Sequence, residues 1–275
     1  MGLVKIIGAP FSVGCRVETS TAIDQQNGPL SIRAALRSLT ANFDVPLGFE
    51  DLGDLSVKKN TVEDVLKALE DQVTAVITKG DVPLVLGGAH TITLGTLRAL
   101  SKAKPGFSVI YIDAHPDIMP HATVNYGSGI FYALKEEVIR PDKLAFIGLR
   151  QVENPEYRLL RENNIFHVHA SEIEGLGIAN VVKEIKDRFP APYFISLDLD
   201  AIDPAFAPGV TLPYPCGLSP REVMYILEEL SRQGIVGFEI AELSPINDRN
   251  DETAMIAASL ILKVCGVLSS KQRTH

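Results

Sequence analysis

"FSVIYIDAHPD", residues 107–117, decides the fold. Its first half is a short apolar run, Phe107, Val109, Ile110 and Ile112, that reads as a β-strand entering a core. Its second half places Asp113, His115 and Asp117 at alternate positions, and in an extended backbone residues i, i+2 and i+4 share a face. Like charges converging at the end of a buried strand are costly unless something neutralises them. The segment therefore calls for a partner that the sequence does not supply as side chains.

Runs of the same kind recur along the chain at Val4–Ile7, Val82–Leu86, Leu144–Leu149, Ile165–Val168, Tyr193–Leu197 and Ile235–Ile240. They are nearly continuous in apolar residues, as the strands of a parallel sheet covered on both faces are. Helical patterns lie between them. From Thr61 to Lys79 the residues Val62, Val65, Leu66, Leu69, Val73, Val76 and Ile77 recur at three- and four-residue spacing, which puts them on one helix face. In "SPREVMYILEEL" Ser219 is the expected N-cap, Pro220 the first helical residue and Glu222 the partner that completes a capping box. Strands alternating with helices predict an α/β fold with a mostly parallel central sheet and helices on both faces.

The chain has 275 residues, 46% of them hydrophobic and 22% charged, enough for one large α/β domain. No linker, low-complexity tract or repeat divides it, so residues 1–275 are expected to form a single domain. A net charge of −8 argues against nucleic acid or an anionic membrane as partner and suits a small cation. Cys15, Cys216 and Cys265 are far apart and form no Cys-x-x-Cys pair, which suggests reduced thiols and a cytoplasmic setting. The N-terminal apolar run is too short for a signal peptide, and no apolar run approaches a membrane span.

Three strand ends carry one chemistry. Asp198 and Asp200 repeat the alternate spacing after Tyr193–Leu197, and Gly87 and Gly88 permit a tight turn that presents His90 near a helix N-terminus. All three groups fall at the carboxyl ends of presumed parallel strands, the edge where open α/β sheets bind ligands. One Asp-x-Asp after a strand is most often a cap or turn, and one loop histidine is most often a satisfied polar residue. Three such elements together point to metal. Four Asp and two His leave excess charge around one dication, whereas two dications sharing a bridging water or hydroxide match both charge and ligand count. Carboxylates and imidazoles without thiolates favour Mn²⁺ over Zn²⁺, Fe²⁺ or Mg²⁺. Asp203 reads as a turn residue before Pro204, and His121, His167, His169 and His275 read as structural or solvated.

The chain resembles the arginase/agmatinase (ureohydrolase) family almost end to end. The resemblance rests on "GAPFSVG", "NGPLSIR", "DLGDL", "LGGAHTITLG", "IDAHPD", "SLDLDAIDPAFAPGV", "CGLSPRE" and "GFEIAELSP". It implies an arginase-like three-layer α/β/α fold, two Mn²⁺ per chain and hydrolysis of a guanidinium to urea and an amine. By that resemblance His90, Asp117 and the bridging Asp113 and Asp198 hold one ion, and His115 and Asp200 with the same bridges hold the other. Asp117 also hydrogen-bonds the nucleophile, and Glu242 takes the substrate guanidinium in a charge-assisted pair. "DPAFAPG", and "ELSP" followed by an alanine-rich helix, suggest the agmatinase branch, hence agmatine converted to putrescine and urea in polyamine biosynthesis. A homo-oligomer, a trimer or hexamer, is implied as well.

Two positions depart from the family pattern. "GGAHT" has Ala89 where members carry an aspartate that helps orient the adjacent histidine, and "NYGSG" has Tyr126 where members carry the histidine that protonates the leaving amine. Tyr126, His121 or bulk water is the candidate to take over that proton. The alternatives are an arginase, a guanidinobutyrase or a formimidoyl amino acid hydrolase of the same family. A metal-binding homologue without catalysis that acts in regulation is a further alternative, which the complete ligand set and Glu242 oppose.

Overall fold

The computed structural model describes residues 2–15, 23–41, 48–57, 59 and 61–272. Among these, β1 (Val4–Ala9), β2 (Phe49–Asp54), β3 (Val82–Gly87), β4 (Ser108–Ile112), β5 (Leu144–Leu149), β6 (Phe166–His169), β7 (Tyr193–Asp198) and β8 (Ile235–Ala241) form one sheet. Its order is β2-β1-β3-β8-β7-β4-β5-β6, and every pairing between these strands is parallel. The seven expected strands are all present, with ends displaced by a residue or two. The eighth, β2, has no counterpart in the apolar pattern.

The helices are α1 (Gly28–Thr40), α2 (Val62–Thr78), α3 (Thr93–Ala103), α4 (Gly129–Lys135), α5 (Asn154–Glu162), α6 (Ala170–Leu176), α7 (Ile178–Arg188), α8 (Pro220–Gln233) and α9 (Glu252–Gln272). They cover both faces of the sheet. Along β4, Ile110 and Ile112 pack with α1, α6, α7, α8 and α9, while Val109 and Tyr111 pack with α2, α3, α4 and α5. This period-two division is why the strands read as continuous apolar runs, because each face has its own helical layer to fill. The arrangement is the expected three-layer α/β/α architecture.

Local chemistry sets the ends of these elements. Thr61 caps α2 by accepting the Asp64 N–H at 3.2 Å, and Val65, Leu66, Leu69, Val73, Val76 and Ile77 are buried along one face. Ser219 and Glu222 form the expected capping box on α8. β2 lies at the sheet edge, and its acidic residues meet cations instead of core: Arg33 pairs with Asp51 at 2.7 Å and with Asp54, and Lys5 pairs with Glu50 at 2.5 Å. Charged side chains on an edge strand also discourage pairing with a further strand.

One sequence expectation needs correction. In α9 the stretch Glu252–Ser270 is long and apolar enough to cross a membrane by length and composition. Its Ala254, Ala257, Ala258, Ile261, Val264 and Leu268 are nevertheless part of the main core, and the helix packs against α1 and α8. A helix apolar on most sides serves here as an interior element. Cys15, Cys216 and Cys265 carry free thiols.

Candidate metal centre

The sheet order puts β3, β8, β7 and β4 side by side, and the carboxyl ends of these four neighbours carry the ionisable residues singled out above. β3 runs through Gly87 and Gly88 to His90. At Gly88 the chain passes so close to Phe11 that a Cβ would lie 2.1 Å from the Phe11 carbonyl oxygen, so only glycine fits. β4 delivers Asp113, His115 and Asp117; β7 delivers Asp198 and Asp200; β8 delivers Glu242. Asp117 and Glu242 both have left-handed backbone, φ +50° and +69°, which is uncommon away from glycine and concentrates at functional sites.

The side chains converge as expected, but through the bends that follow β4 and the short 3-10 turn that follows β7 and not through a continued extended backbone. His90 Nδ1 lies 3.0 Å from carboxylate oxygens of both Asp113 and Asp198, and 3.6 Å from Asp117. His115 Nδ1 lies 3.0 Å from Asp200 and 3.4 Å from the other oxygen of Asp113. Two sets of donor atoms are each compact enough for one ion, His90 with Asp113 and Asp117, and Asp113 with His115 and Asp200. Asp113 belongs to both. Main-chain amides fix the carboxylates, with the His115 N–H donating to Asp113 at 2.6 Å and the Asp200 N–H to Asp198 at 2.7 Å. Arg150 approaches this loop but donates to the main-chain carbonyls of Asp200, Ala201 and Tyr214, leaving the Asp200 carboxylate for the cleft.

The electrostatics call for cations. Asp113, Asp117, Asp198 and Asp200 are all at least 95% buried. Burial and the charge of Asp113 push the Asp117 carboxyl well above its ordinary range, and burial with Asp200 and Asp113 does the same to Asp198. Burial opposes charge on His90 and His115, but the surrounding aspartates outweigh it and hold both imidazoles well above their usual pKa. Burial also works against Asp113, yet hydrogen bonds from His115 and His90 hold it below the carboxylate range. A donor set of four carboxylates and two imidazoles, gathered at this depth, fits divalent ions, whose charge would offset the clustered carboxylates.

A polar chain stands behind His90. Its Nε2 is 2.8 Å from Ser196 Oγ, and that hydroxyl donates to Glu239 at 3.1 Å. Glu239 is fully buried and also receives Thr93 Oγ1 at 2.5 Å and Thr96 Oγ1 at 2.7 Å. Because the Ser196 proton goes to Glu239, the Ser196 oxygen is left to accept from His90 Nε2–H, which leaves Nδ1 as the ring nitrogen that could offer a lone pair to a metal ion. On the other side Tyr111 stacks on the His90 ring and donates to Asp117 at 2.6 Å.

Glu242 and Tyr126 line the same cleft as His90, His115, Asp117 and Asp200. Glu242 accepts the His90 N–H at 2.7 Å and Gln25 Nε2–H at 3.0 Å, and burial raises its pKa against those two bonds. His121 is set back in an adjoining pocket that shares His115, Asp117 and Tyr126 with the cleft, while His167 and His169 sit on the edge strand β6. His275 lies outside the described residues. Asp203 acts in the turn as expected, accepting the N–H groups of Ala205 and Gly217 at 2.9 Å each. Ala89 is buried, and its N–H donates to the Phe11 carbonyl at 2.8 Å. Gln25, Tyr111, Ser196 and Glu239 were not singled out from sequence. Ser196 lies two residues before Asp198 on β7, and that alternation was the available signal for it; Glu239 lies three residues before Glu242 and carried no such spacing.

Comparison with known proteins agrees with this geometry. The arginase family model matches residues 3–266, and the chain belongs to that family. It is 28% identical to a guanidinobutyrase of Pseudomonas aeruginosa, over 95% of this chain and 85% of that protein. It is 32% identical to an agmatinase of Blochmanniella floridana, over 94% of this chain and 86% of that protein. Among solved structures, an arginase from Bacillus subtilis superposes with a TM-score of 0.86 at 30% identity, covering 97% of this chain and 99% of the other. These relatives share a family and carry three different substrate names.

Proposed function

We propose that this protein is a dinuclear Mn²⁺ ureohydrolase that converts agmatine to putrescine and urea. In this reading His90, Asp113, Asp117 and Asp198 hold one ion, and Asp113, His115, Asp198 and Asp200 hold the other. When bound, the two ions supply the charge that makes a water nucleophilic near neutral pH. The remaining work falls to the chain. Glu242 pairs with the planar guanidinium and holds its central carbon over the water, a positioning contribution. Asp117 accepts a hydrogen bond from that water and takes its proton. Tyr126 gives a proton to the amine nitrogen as the C–N bond breaks, so that putrescine leaves neutral at that atom, while the proton of the added hydroxyl is lost as the urea carbonyl forms and restores the phenol through solvent.

One observation carries the choice of agmatine. Among the described residues, neither the cleft nor its adjoining pocket is lined by Lys or Arg, whereas Glu153 and Glu156 line the pocket. A substrate whose far end is an ammonium suits those walls, while the carboxylates of guanidinobutyrate and arginine would find no lysine or arginine partner among the described lining residues. The test is urea release by the Mn²⁺-loaded protein from agmatine, arginine and guanidinobutyrate. Selective turnover of agmatine is expected; preference for either carboxylate-bearing compound would overturn the assignment.

A further inference from the structure

Tyr111 stands in β4 where a phenylalanine would fill the core equally well. It is fully buried, with its ring edge-to-face against Phe146 at 5.6 Å. A buried hydroxyl is unfavourable unless bonded, so this one needs a partner. Its partners are both in the candidate metal centre: it donates to Asp117 Oδ2 at 2.6 Å and lies 2.8 Å from His90 Nδ1. Its ring lies against the His90 imidazole with centroids 4.6 Å apart and planes 13° from parallel.

These contacts are one-sided. Asp117 and His90 belong to one of the two compact donor sets, and Tyr111 has no hydrogen bond to His115 or Asp200, the residues particular to the other. Asp117 sits beyond the strand end in left-handed backbone, so its carboxylate is not aimed by the β4 ladder. The phenol supplies a fixed point for it. A hydrogen bond from a neutral donor leaves the carboxylate ionised and able to bind a cation with its remaining lone pairs. The stack restricts rotation of His90 about the axis that Ser196 anchors from the opposite edge.

We propose that Tyr111 is a positioning residue for one half of the metal centre, its hydroxyl fixing the Asp117 carboxylate and its ring fixing His90. This rests on the dinuclear reading above. The consequence is asymmetric: losing the hydroxyl weakens the ion at His90 and Asp117 and spares the ion at His115 and Asp200.

Tyr111→Phe keeps the ring and removes only the hydroxyl. Mn²⁺ binding to the metal-stripped wild type and variant is followed by calorimetry, with bound metal counted after dialysis at limiting Mn²⁺. Two ions are expected on the wild type. On Tyr111→Phe one ion is expected at unchanged affinity and the other weakened roughly 10–100-fold, the usual cost of removing an outer partner of a metal ligand. Two unchanged affinities would overturn the inference while leaving the dinuclear centre in place, and so would equal weakening of both ions, which marks a merely structural role. A wild type that binds no Mn²⁺ would remove the centre itself, and this inference with it.

Discussion

Glu242, just past β8, accepts the main-chain N–H of His90, just past β3, at 2.7 Å. One carboxylate oxygen is thereby committed to holding two neighbouring strand ends together, and the other receives Gln25 at 3.0 Å. The group proposed to take the guanidinium is therefore already aimed before substrate arrives, and catalysis gains most from groups that need no reorganisation. Glu242→Gln keeps the shape and one acceptor oxygen but loses the charge and turns an N–H₂ toward a donor. Loss of a charge-assisted pair is worth roughly 2–3 kcal/mol, so kcat/KM for urea release should fall about 30–150-fold. Bound Mn²⁺ should stay at wild-type level, because Glu242 is outside both donor sets. Metal analysis beside steady-state kinetics checks the pair of expectations, and loss of metal along with activity would contradict the assigned role.

The chain from His90 through Ser196 to Glu239 makes a different prediction. Ser196→Ala removes the acceptor for His90 Nε2–H, freeing the ring to adopt the tautomer that points a proton at the ion. Mn²⁺ affinity should drop roughly 10–100-fold. Thr96→Ala removes a donor to the far oxygen of Glu239, which does not touch Ser196. It should lower the melting temperature by an amount equivalent to about 1–2 kcal/mol with much less effect on metal binding. If both variants lose stability and metal affinity in the same ratio, the relay has no special connection to the ion.

Sequence made the fold legible where strands are buried on both faces, because β1, β3, β4, β5, β7 and β8 then become continuous apolar runs. It was silent on β2, where Glu50, Asp51 and Asp54 face solvent and are held by Lys5 and Arg33 from other elements. The donors His90, Asp113, His115, Asp117, Asp198 and Asp200 were legible because they fall within a few residues of the ends of apolar strand runs, although the loops carrying His115, Asp117 and Asp200 are not extended. Tyr111 and Glu239 were not, since both lie inside strands and read as core-facing positions. Only the pairing of β4 with β7 and of β7 with β8 shows that these positions face His90 and Ser196. The apolar pattern of α9 conceals its role in the opposite way, as its composition suits an interior and a membrane alike.

Tyr126 opens the short helical turn Tyr126–Ser128 and lines the cleft beside His115 and Asp117. Its amide donates to the Gly14 carbonyl at 3.3 Å, which ties this turn to the segment carrying Cys15. If its phenol protonates the departing amine, Tyr126→Phe should lower kcat by roughly 10²–10⁴-fold while bound Mn²⁺ remains intact. Unchanged turnover would reassign the proton to His121 or to solvent, and His121→Ala in the same assay separates those two.

Glu156, in the first turn of α5, carries a prediction about pH that does not depend on catalysis. It accepts the Glu153 N–H at 3.0 Å and is 95% buried beside the pocket that adjoins the cleft. Burial pushes its carboxyl up from 4.5 to about 7, against the hydrogen bond from the Glu153 N–H and the nearby His115, both of which favour the ionised form. A folded-state pKa above the unfolded value means that the unfolded chain ionises first as pH climbs. Glu156 therefore withdraws stability progressively between about pH 4.5 and 7, and the loss is complete above that window. Its full extent is on the order of 3 kcal/mol. Glu156→Gln retains an acceptor for Glu153 and cannot ionise. In the metal-free protein its melting temperature should differ little from wild type in pH dependence below pH 4.5, then gain steadily on wild type up to pH 7 and run parallel beyond. A difference between the two proteins that stays constant from pH 4 to 8 would show that Glu156 titrates normally and that its burial is relieved on the measured timescale.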